Sequence, residues 1–285
     1  MICVNPRRLP NPAATSVYDY YNVTSCGKCY ACLANRRRSW HFRLMNESLN
    51  SVITLFVTFT YDDLHVLKSR SPSSQKLLCK PHLQKFFKRL RHYEDFVHYS
   101  IGEYGTNTLR PHYHSVIFFK SAPFQNPLDE LTYLISKLWP YGFVSVSRAS
   151  YRRLNYVLHY HVRPKKVGDG LETFQIFSKG LGLDFLDDNM IDYLVQSKRT
   201  TIKDFNGNIY VIPRYYRKKL IEQGYDIDAP RPKTVPKDRM SQKIEKAFGK
   251  PLYKIPSLQV AQYLREQLQI SMSKVAKYNN QDKFI

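Results

Sequence analysis

The chain has 285 residues, of which 43% are hydrophobic and 14% aromatic, and this apolar content excludes a wholly disordered protein. Its 44 Lys and Arg outnumber 23 Asp and Glu, and the resulting net charge of +21 exceeds the charge of about 2 to 8 that solubility requires. The excess predicts a polyanionic partner, either nucleic acid or an acidic membrane surface.

The sequence favours nucleic acid over a membrane. The longest apolar run, 52–59, is far shorter than the roughly 20 residues that span a bilayer. The N-terminal MICVNPRRLPNP lacks the apolar stretch of a signal peptide. Five cysteines, three of them closely spaced, fit reduced thiols better than a disulfide framework. We therefore expect a nucleic-acid-binding protein of a cytoplasm.

Hydrophobic periodicity predicts a clear order of elements along the chain. They are a helix over 33–49, a strand over 52–60, a helix over 81–93, strands over 97–104 and 111–119, a helix over 127–138, a strand over 142–147 and a helix over 151–162. The two central strands are joined by GTNTLR, which has the composition of a turn.

The order from 52 to 147 is β-α-β-β-α-β, the connectivity of the ferredoxin-like or RRM-like split βαβ fold. This predicts an α+β core with an antiparallel sheet, one face covered by helices and the other free to carry an active site. Three segments follow from composition: a Cys- and Arg-rich segment over 1–50, a core domain over 51–225, and 226–285. The last segment is expected to hold a Pro/Lys-rich linker and an amphipathic helix over 258–276.

The strand RPHYHSVIFF carries the sharpest chemical signal. Strand side chains alternate, so His112 and His114 share a face while Tyr113 points the other way. A hairpin through GTNTLR would bring Glu103 beside His112. Two imidazoles and a carboxylate suit Mn²⁺ or Mg²⁺, and Zn²⁺ is not excluded. The alternative is a pair of ordinary, half-buried histidines.

Tyr156 and Tyr160 are four residues apart in NYVLHYHV, so on a helix both phenols lie on one face. A phenol has a pKa near 10 and is a poor nucleophile at neutral pH without a metal or base nearby. Beside a metal-polarised phosphodiester it can attack phosphorus and form a phosphotyrosine link. The alternative is that both tyrosines only pack in the core.

Taken together, the HxH strand, the paired tyrosines and the upstream strand FVTFTY resemble the HUH endonuclease superfamily. The resemblance narrows over residues 3–220. The segments CGKCYACLANRRRSW, FVTFTYDD, FFKRLR, GEYG with RPHYHSVIF, YVLHYH and PRYYRKKL occur in the order seen in replication initiators of gokushovirus-like microviruses, which are small single-stranded DNA phages.

That resemblance implies a rolling-circle initiator in the host bacterial cytoplasm, working with the host replication machinery. It would nick and rejoin single-stranded origin DNA through a 5′-phosphotyrosine intermediate and leave a 3′-OH primer. The metal-ligand role carries over to His112 and His114, with Glu103 as third ligand, and the nucleophile role to Tyr156 and Tyr160. The paired tyrosines would let one phenol hold the parental end while the other cuts the new junction.

Cys26, Cys29 and Cys32 have the spacing of Zn²⁺ ligands, and either Cys3 or Cys79 could supply a fourth. An iron–sulfur cluster fits less well because the fourth cysteine of a ferredoxin-type run is absent from this segment. The alternative is three ordinary reduced thiols near the start of a helix.

Clustered cations with interspersed aromatic residues predict salt-dependent binding of a phosphate backbone and stacking on unpaired bases. The residues expected to contact DNA are Thr58, Thr60, Arg152, Arg153, Lys165 and Lys166. Any single basic cluster could instead be a solvated face. Two rival functions remain open: a non-catalytic single-stranded nucleic-acid binder with an RRM-like sheet, and a plasmid-type initiator or transposase of the same superfamily.

Overall fold

The structure is a computed structural model of the whole chain. It describes residues 3, 6–10, 12, 21–69, 76–105, 108–121, 125–159, 166–167, 171–199, 201–204, 207–225, 239–256, 258–260, 262–267, 269–270 and 273. The chain divides into two compact units, one formed by 1–37 with 228–285 and the other by 38–227. Within the described residues, no helix is long and apolar enough to cross a membrane.

The strands are β1 (Arg7–Pro10), β2 (Tyr21–Thr24), β3 (Ile53–Thr60), β4 (Leu67–Lys68), β5 (Lys76–Leu77), β6 (Phe96–Tyr104), β7 (Pro111–Phe119), β8 (Val144–Arg148), β9 (Lys166–Val167), β10 (Leu171–Glu172), β11 (Phe174–Phe177), β12 (Thr201–Lys203) and β13 (Ile209–Val211). The α-helices are α1 (Tyr30–Leu49), α2 (Lys80–Leu90), α3 (Pro127–Leu138), α4 (Tyr151–Leu158), α5 (Asp188–Ser197), α6 (Arg214–Glu222) and α7 (Arg239–Phe248). Short 3₁₀ turns lie at Leu183–Phe185 and Leu252–Lys254.

The smaller unit contains the β1–β2 hairpin, the start of α1, and α7. The hairpin is antiparallel, with Arg7 opposite Thr24. Ile244 of α7 is buried, and the backbone N–H of Leu252 donates to Glu245 at 2.9 Å. Residues 258–260 and 262–267 are helical, within the helix predicted over 258–276.

The larger unit is built on a five-stranded sheet with the order β11-β6-β7-β3-β8, in which every neighbouring pair is antiparallel. It is therefore an α+β fold whose sheet is flanked by helices. The predicted strands and helices of residues 52–158 are found within a few residues of their expected bounds, because each has a regular pattern of buried side chains.

One face of the sheet packs against α2 and α3. Leu83 and Phe86 of α2 meet Ile135 of α3 and the inward side chains of the sheet, such as Leu55 and Phe59. All five are almost fully buried. Burying an aliphatic or aromatic side chain of this size contributes about 1.5–3 kcal/mol, so this layer is the main source of stability for the unit.

The prediction that the other face is free is wrong. Leu44 of α1 and Leu154 and Val157 of α4 pack on it against Phe56 and Val116. Apolar side chains occupy this face of the strands, and leaving them exposed would cost the free energy of burial, so helices cover them as well. Only one end of this face carries the polar residues described in the next section.

Residues after the sheet form a third cluster around Phe42 of α1. Ile191 of α5, Ile202 and Tyr210 of the β12–β13 hairpin and Tyr216 of α6 bury their side chains there. These short elements have no counterpart in the predicted order. Since α1 contributes to this cluster and to the sheet face, it runs through the predicted boundary at residue 50. The division into domains remains a prediction.

The segment after β11, whose sequence gave no chemical role, has a structural one. The guanidinium of Arg43 donates from Nε and Nη2 to the carbonyl of Leu181 at 3.1 and 2.6 Å. Gly182 has φ 77°, and a Cβ there would lie 2.9 Å from the carbonyl oxygen of Arg43. Only glycine fits both this backbone conformation and this close approach to α1.

Candidate active site

Three strands bring the predicted metal ligands together. Glu103 of β6 lies opposite His112 of β7, as expected for the hairpin, and His114 pairs with Ile101. On the other side of β7, His112 pairs with Thr60 and His114 with Thr58 of β3. Tyr113 points to the opposite face, where its hydroxyl bonds that of Tyr61 at 2.7 Å. The alternation predicted for the HxH strand is therefore confirmed.

Glu103 holds the two histidines. Its Oε1 lies 2.8 Å from Nε2 of His112 and 2.8 Å from Nε2 of His114. Burial raises the pKa of Glu103, but the hydrogen bonds from His112 and His114 outweigh it and bring the pKa to about 2. The carboxylate is therefore ionised at neutral pH.

The two imidazoles differ in charge. Burial lowers the pKa of His112, but its contact with Glu103 outweighs burial and the net shift is upward. For His114, burial dominates over the same carboxylate and lowers the pKa. Near neutral pH one shared carboxylate thus faces one imidazole that favours its proton and one that does not.

Each ring is also held from its far side. The Nδ1 of His112 donates to the carbonyl of Arg110 at 3.1 Å, and Nδ1 of His114 lies 2.9 Å from Oγ1 of Thr58. Such contacts fix the ring orientation and, with it, which nitrogen is available to a metal. Both rings present Nε2 to Glu103.

These three side chains form a candidate metal site. Their ligand atoms all lie within 4.8 Å of one another. Neighbouring ligands in an octahedron with metal–ligand bonds of about 2.1 Å are about 3 Å apart, close to the 2.8 Å contacts between carboxylate and imidazoles. A carboxylate oxygen and two imidazole nitrogens also match the donors preferred by divalent first-row ions. The residues therefore fit a divalent cation.

Tyr156 reaches this triad from α4. The helix begins after Ser150, whose hydroxyl accepts a hydrogen bond from the backbone of Arg153. The Tyr156 hydroxyl donates to Glu103 Oε1 at 2.9 Å and lies 3.5 Å from Nε2 of His114. Its ring meets the His114 ring edge-on at 5.1 Å. A nucleophile-bearing side chain is thus in direct contact with the candidate ligands.

The other predicted residues are placed unequally. Tyr160 and Lys165 lie outside the described residues, and only the backbone of Lys166, in β9, is described. Thr58 bonds His114, and the Thr60 hydroxyl donates to the carbonyl of Phe143 at 3.3 Å. The side chain of Arg152 is exposed.

Arg153 and Phe56 extend the site. The guanidinium of Arg153 contacts the Ser147 hydroxyl and lies 5.4 Å from the Phe56 ring centroid. Phe56 in turn stacks on His114 at 5.4 Å. Phe56 was missed by the sequence reasoning, although it lies two residues before Thr58 and so faces the same side of β3. An exposed cation thus sits one ring away from the triad.

Four cysteines converge in the smaller unit. Cys3, Cys26, Cys29 and Cys32 form the second group whose ligand atoms lie within 4.8 Å of one another. The Sγ of Cys29 is 3.8 Å from that of Cys3 and 3.4 Å from that of Cys32. The Cys26 and Cys32 sulfurs are 3.9 Å apart. Tetrahedral Zn²⁺ with Zn–S bonds of about 2.3 Å separates its sulfurs by about 3.8 Å, so the thiols fit that ion.

The structure chooses between the two predicted fourth thiols. Cys3 joins the cluster and Cys79, which precedes α2 in the larger unit, does not. The backbone N–H of Cys29 donates to the sulfur of Cys26 at 3.3 Å. This and a second N–H bond, from Lys28, lower the pKa of Cys26 to about 6, which favours the thiolate that a metal requires.

Comparisons with known proteins agree with the sequence resemblance. Residues 54–165, which include the triad and Tyr156, match the family of the replication-associated protein ORF2. The chain is 26% identical over 233 residues to the replication-associated protein ORF4 of Chlamydia phage 1, covering 71% of this chain and 55% of that protein. No solved structure matches it significantly.

Two further relatives come from other small phages. The replication-associated protein ORF2 of Spiroplasma virus 4 is 27% identical over 73% of this chain and 71% of its own length. The replication-associated protein VP4 of Bdellovibrio phage phiMH2K is 29% identical over 60% of each chain. The matches span little more than half of the Chlamydia phage protein. The family and these relatives identify the chain as one of the replication-associated proteins of microviruses.

Proposed function

We propose that the chain is a rolling-circle replication initiator of the HUH endonuclease superfamily, which nicks and rejoins single-stranded origin DNA through a 5′-phosphotyrosine intermediate. The observation that carries the proposal is the Tyr156 hydroxyl, 2.9 Å from the carboxylate that also contacts His112 and His114. A phenol beside a divalent-ion site is the arrangement that this phosphodiester chemistry needs.

The residues divide the work as follows. Glu103 is ionised and already accepts the hydrogen bond of the Tyr156 hydroxyl, so it favours a phenol oxygen with its proton turned away from the DNA. That oxygen attacks the phosphorus, and the 3′ oxygen leaves as the primer end. The new ester on Tyr156 conserves the energy of the broken bond, which allows a later 3′-OH to displace the tyrosine and close the circle.

Glu103, His112 and His114 would hold Mn²⁺ or Mg²⁺. When bound, the ion polarises the scissile phosphate and stabilises the charge that develops on it. The histidines offer nitrogen ligands, which favours Mn²⁺ over Mg²⁺. Thr58 and the Arg110 carbonyl keep both Nε2 atoms aimed at the same point.

Tyr160 is the proposed second nucleophile, four residues after Tyr156. Two phenols allow one to hold the parental 5′ end while the other cuts the regenerated junction. This role rests on the spacing and on the family resemblance.

Contacts to the DNA backbone are proposed for Arg153 and Arg152, with Thr60, Lys165 and Lys166 as further candidates. The position of Arg153 against Phe56, which stacks on His114, supports a phosphate contact next to the scissile bond. In this proposal the protein acts in the host bacterial cytoplasm together with the host replication machinery.

The sheet supports a ferredoxin-like core. Without β11, the strand order is β6-β7-β3-β8, in which α2 connects β3 to β6 and α3 connects β7 to β8. Each helix thus joins two parallel strands that have one antiparallel strand between them, which is the split βαβ arrangement. In the smaller unit, we propose structural Zn²⁺ on the four cysteines, supported by their sulfur separations.

The test uses a labelled single-stranded oligonucleotide that carries the phage origin, incubated with Mn²⁺ and resolved on a denaturing gel. The wild-type chain should give a band of covalent protein–DNA adduct. In a Tyr160→Phe background, Tyr156→Phe should remove this band and leave binding of the oligonucleotide intact. Tyr151→Phe is the matched control, because Tyr151 is exposed on the same helix and should not change the adduct.

Three outcomes count against the proposal or its rivals. An adduct that persists in the Tyr156→Phe, Tyr160→Phe variant would overturn the nucleophile assignment. Binding without any adduct from the wild-type chain would favour a non-catalytic binder with an RRM-like sheet. An adduct formed only on a plasmid or transposon sequence would favour the other branches of the superfamily.

A further inference from the structure

The β12–β13 hairpin presents an outer face that packs against none of the three core clusters. In this two-stranded ribbon Thr201 pairs with Val211 and Lys203 with Ile209. All four of these side chains are exposed, with Ile209 57% and Val211 70% accessible. The alternate residues, Ile202 and Tyr210, are buried in the third cluster. Two large apolar side chains on a ribbon this short are unusual for a surface that only meets water.

The ribbon is held firmly in place. At its tip, the carboxylate of Asp204 accepts hydrogen bonds from the backbone and side-chain amides of Asn208 at 2.8 and 3.0 Å. At its edge, Arg38 donates from Nη2 to the carbonyl of Ile209 at 3.0 Å. On its inner face the Tyr210 ring packs against Phe42 at 5.0 Å. The outer face is therefore a fixed surface, which lowers the entropic cost of binding.

Its surroundings are basic. Lys203 lies on the outer face, Lys198 and Arg199 lead directly into β12, and Arg38 lies along β13; all four are exposed. The nearest carboxylate in the ribbon, Asp204, is taken up by Asn208. The surface thus combines apolar β-branched groups with cations, which complements a polyanion that also offers apolar contacts.

We infer that the outer face of the β12–β13 ribbon binds duplex DNA in the major groove. The major groove of B-DNA admits a two-stranded ribbon, and its thymine methyl groups are contacted by apolar side chains and threonine methyls. Val211, Ile209 and Thr201 supply such groups at the centre, while Lys203 and Arg199 reach the phosphates on the rim. Single strands are usually bound by aromatic stacking, and no aromatic side chain lies on the described part of this outer face.

The inference rests on the proposed function. An initiator that opens one strand of a duplex circle must recognise that duplex as well as the single strand it cuts. The ribbon would supply the first contact and the Tyr156 site the second, so the two can be measured apart.

The test compares binding of the full chain to a fluorescent 24-base-pair duplex and to one of its single strands between 50 and 200 mM salt. Each phosphate contact contributes about 0.9 to the slope of log affinity against log salt. The variant Lys203→Ala, Arg199→Ala should therefore lower duplex affinity and flatten the duplex slope by about 1.8, with single-strand binding unchanged. The matched control, Lys85→Ala, Lys137→Ala, removes two exposed cations from α2 and α3 and should leave the duplex slope as it is.

A second variant tests the apolar contacts. Replacing thymine by uracil removes only the methyl group from the groove, so the wild-type chain should bind the thymine duplex about fourfold more tightly for each methyl contacted. Ile209→Ala, Val211→Ala should bind both duplexes equally, with an unchanged salt slope because apolar contacts release no counterions. Equal wild-type affinity for the two duplexes would overturn the groove contact.

Two other results would also overturn the inference. One is a duplex slope that does not change in Lys203→Ala, Arg199→Ala. The other is an equal loss of duplex and single-strand binding in that variant. Failure of the proposed nuclease function is separate: it would appear as the absence of a covalent adduct from the wild-type chain, whatever the ribbon variants do.

Discussion

Thr58 and His114, on the neighbouring strands β3 and β7, are joined by a 2.9 Å hydrogen bond between Oγ1 and Nδ1. The bond lies behind the ring, on the side away from Glu103, whose carboxylate is 2.8 Å from Nε2 of the same imidazole. Thr58 was expected to contact DNA, but its hydroxyl is engaged with a candidate metal ligand. We therefore expect Thr58 to orient His114.

Thr58→Val should weaken Mn²⁺ binding by about 10- to 100-fold, the usual effect of losing a partner behind a metal-binding histidine. Valine keeps the shape of threonine, so a change in packing is not the cause. Titration of the chain with Mn²⁺ by calorimetry measures the effect. Thr58→Ser retains the hydroxyl and should bind Mn²⁺ nearly as well as the wild-type chain; equal affinity for the valine variant would refute the role.

Removal of the divalent ion should stop cleavage. Brief exposure to EDTA is expected to abolish adduct formation on a single-stranded origin oligonucleotide, and added Mn²⁺ should restore it, because Glu103, His112 and His114 are the candidate ligands. His114→Ala should form no adduct at any Mn²⁺ concentration that supports the wild-type chain. Adduct formation at the normal rate in EDTA would show that the triad is not a catalytic metal site.

Zinc content distinguishes the clustered cysteines from the remaining one. We expect about one Zn²⁺ per purified chain, and close to none after Cys29→Ser, since Cys29 lies within 3.8 Å of two other sulfurs. Cys79→Ser is the control, as Cys79 stands apart from the cluster, and should retain the metal. Elemental analysis by mass spectrometry gives the result. Zinc retained by Cys29→Ser and lost by Cys79→Ser would contradict the assignment.

His98 should make the fold sensitive to acid. Its ring is buried against Phe87, 3.7 Å away, and burial lowers its pKa to about 3. Between pH 6.5 and 3 the unfolded chain binds a proton that the folded chain does not, so this contribution is complete above pH 6.5 and is lost as the pH falls. The loss should approach about 1.4 kcal/mol per pH unit.

Urea unfolding at pH 7, 6 and 5 checks the role of His98. His98→Gln should be less stable at pH 7 but should lose less stability on acidification than the wild-type chain. His92→Gln removes an exposed imidazole and serves as the control. If His98→Gln and the wild-type chain lose stability in parallel, the buried ring is not the source of the acid sensitivity.

The sequence predicted the sheet around the site because its strands carry a regular alternation. In β7 the side chains of Tyr113 and Ile117 are buried on one face, and those of His114 and Val116 lie on the other, so period two is visible without a structure. The turn composition after Glu103 also predicted the pairing of that residue with His112, which is observed.

What the sequence missed depends on contacts that are distant along the chain. Helix α1 buries Phe42 in the third cluster and Leu44 on the sheet, so it shows no single apolar stripe that would predict its cover of the second face. Strands β12 and β13 have three residues each, too few for a period. No local pattern could choose Cys3 over Cys79, because Cys3 lies 23 residues before Cys26.

Peptide mass spectrometry of the covalent product tests the central claim most directly. The wild-type chain is incubated with Mn²⁺ and an origin oligonucleotide, digested with protease and nuclease, and searched for a peptide that carries a nucleotide. We expect the phosphodiester on the phenol oxygen of Tyr156, or on Tyr160 in a Tyr156→Phe variant. A nucleotide attached to any other side chain would contradict the assignment of Tyr156 as the nucleophile beside Glu103, His112 and His114.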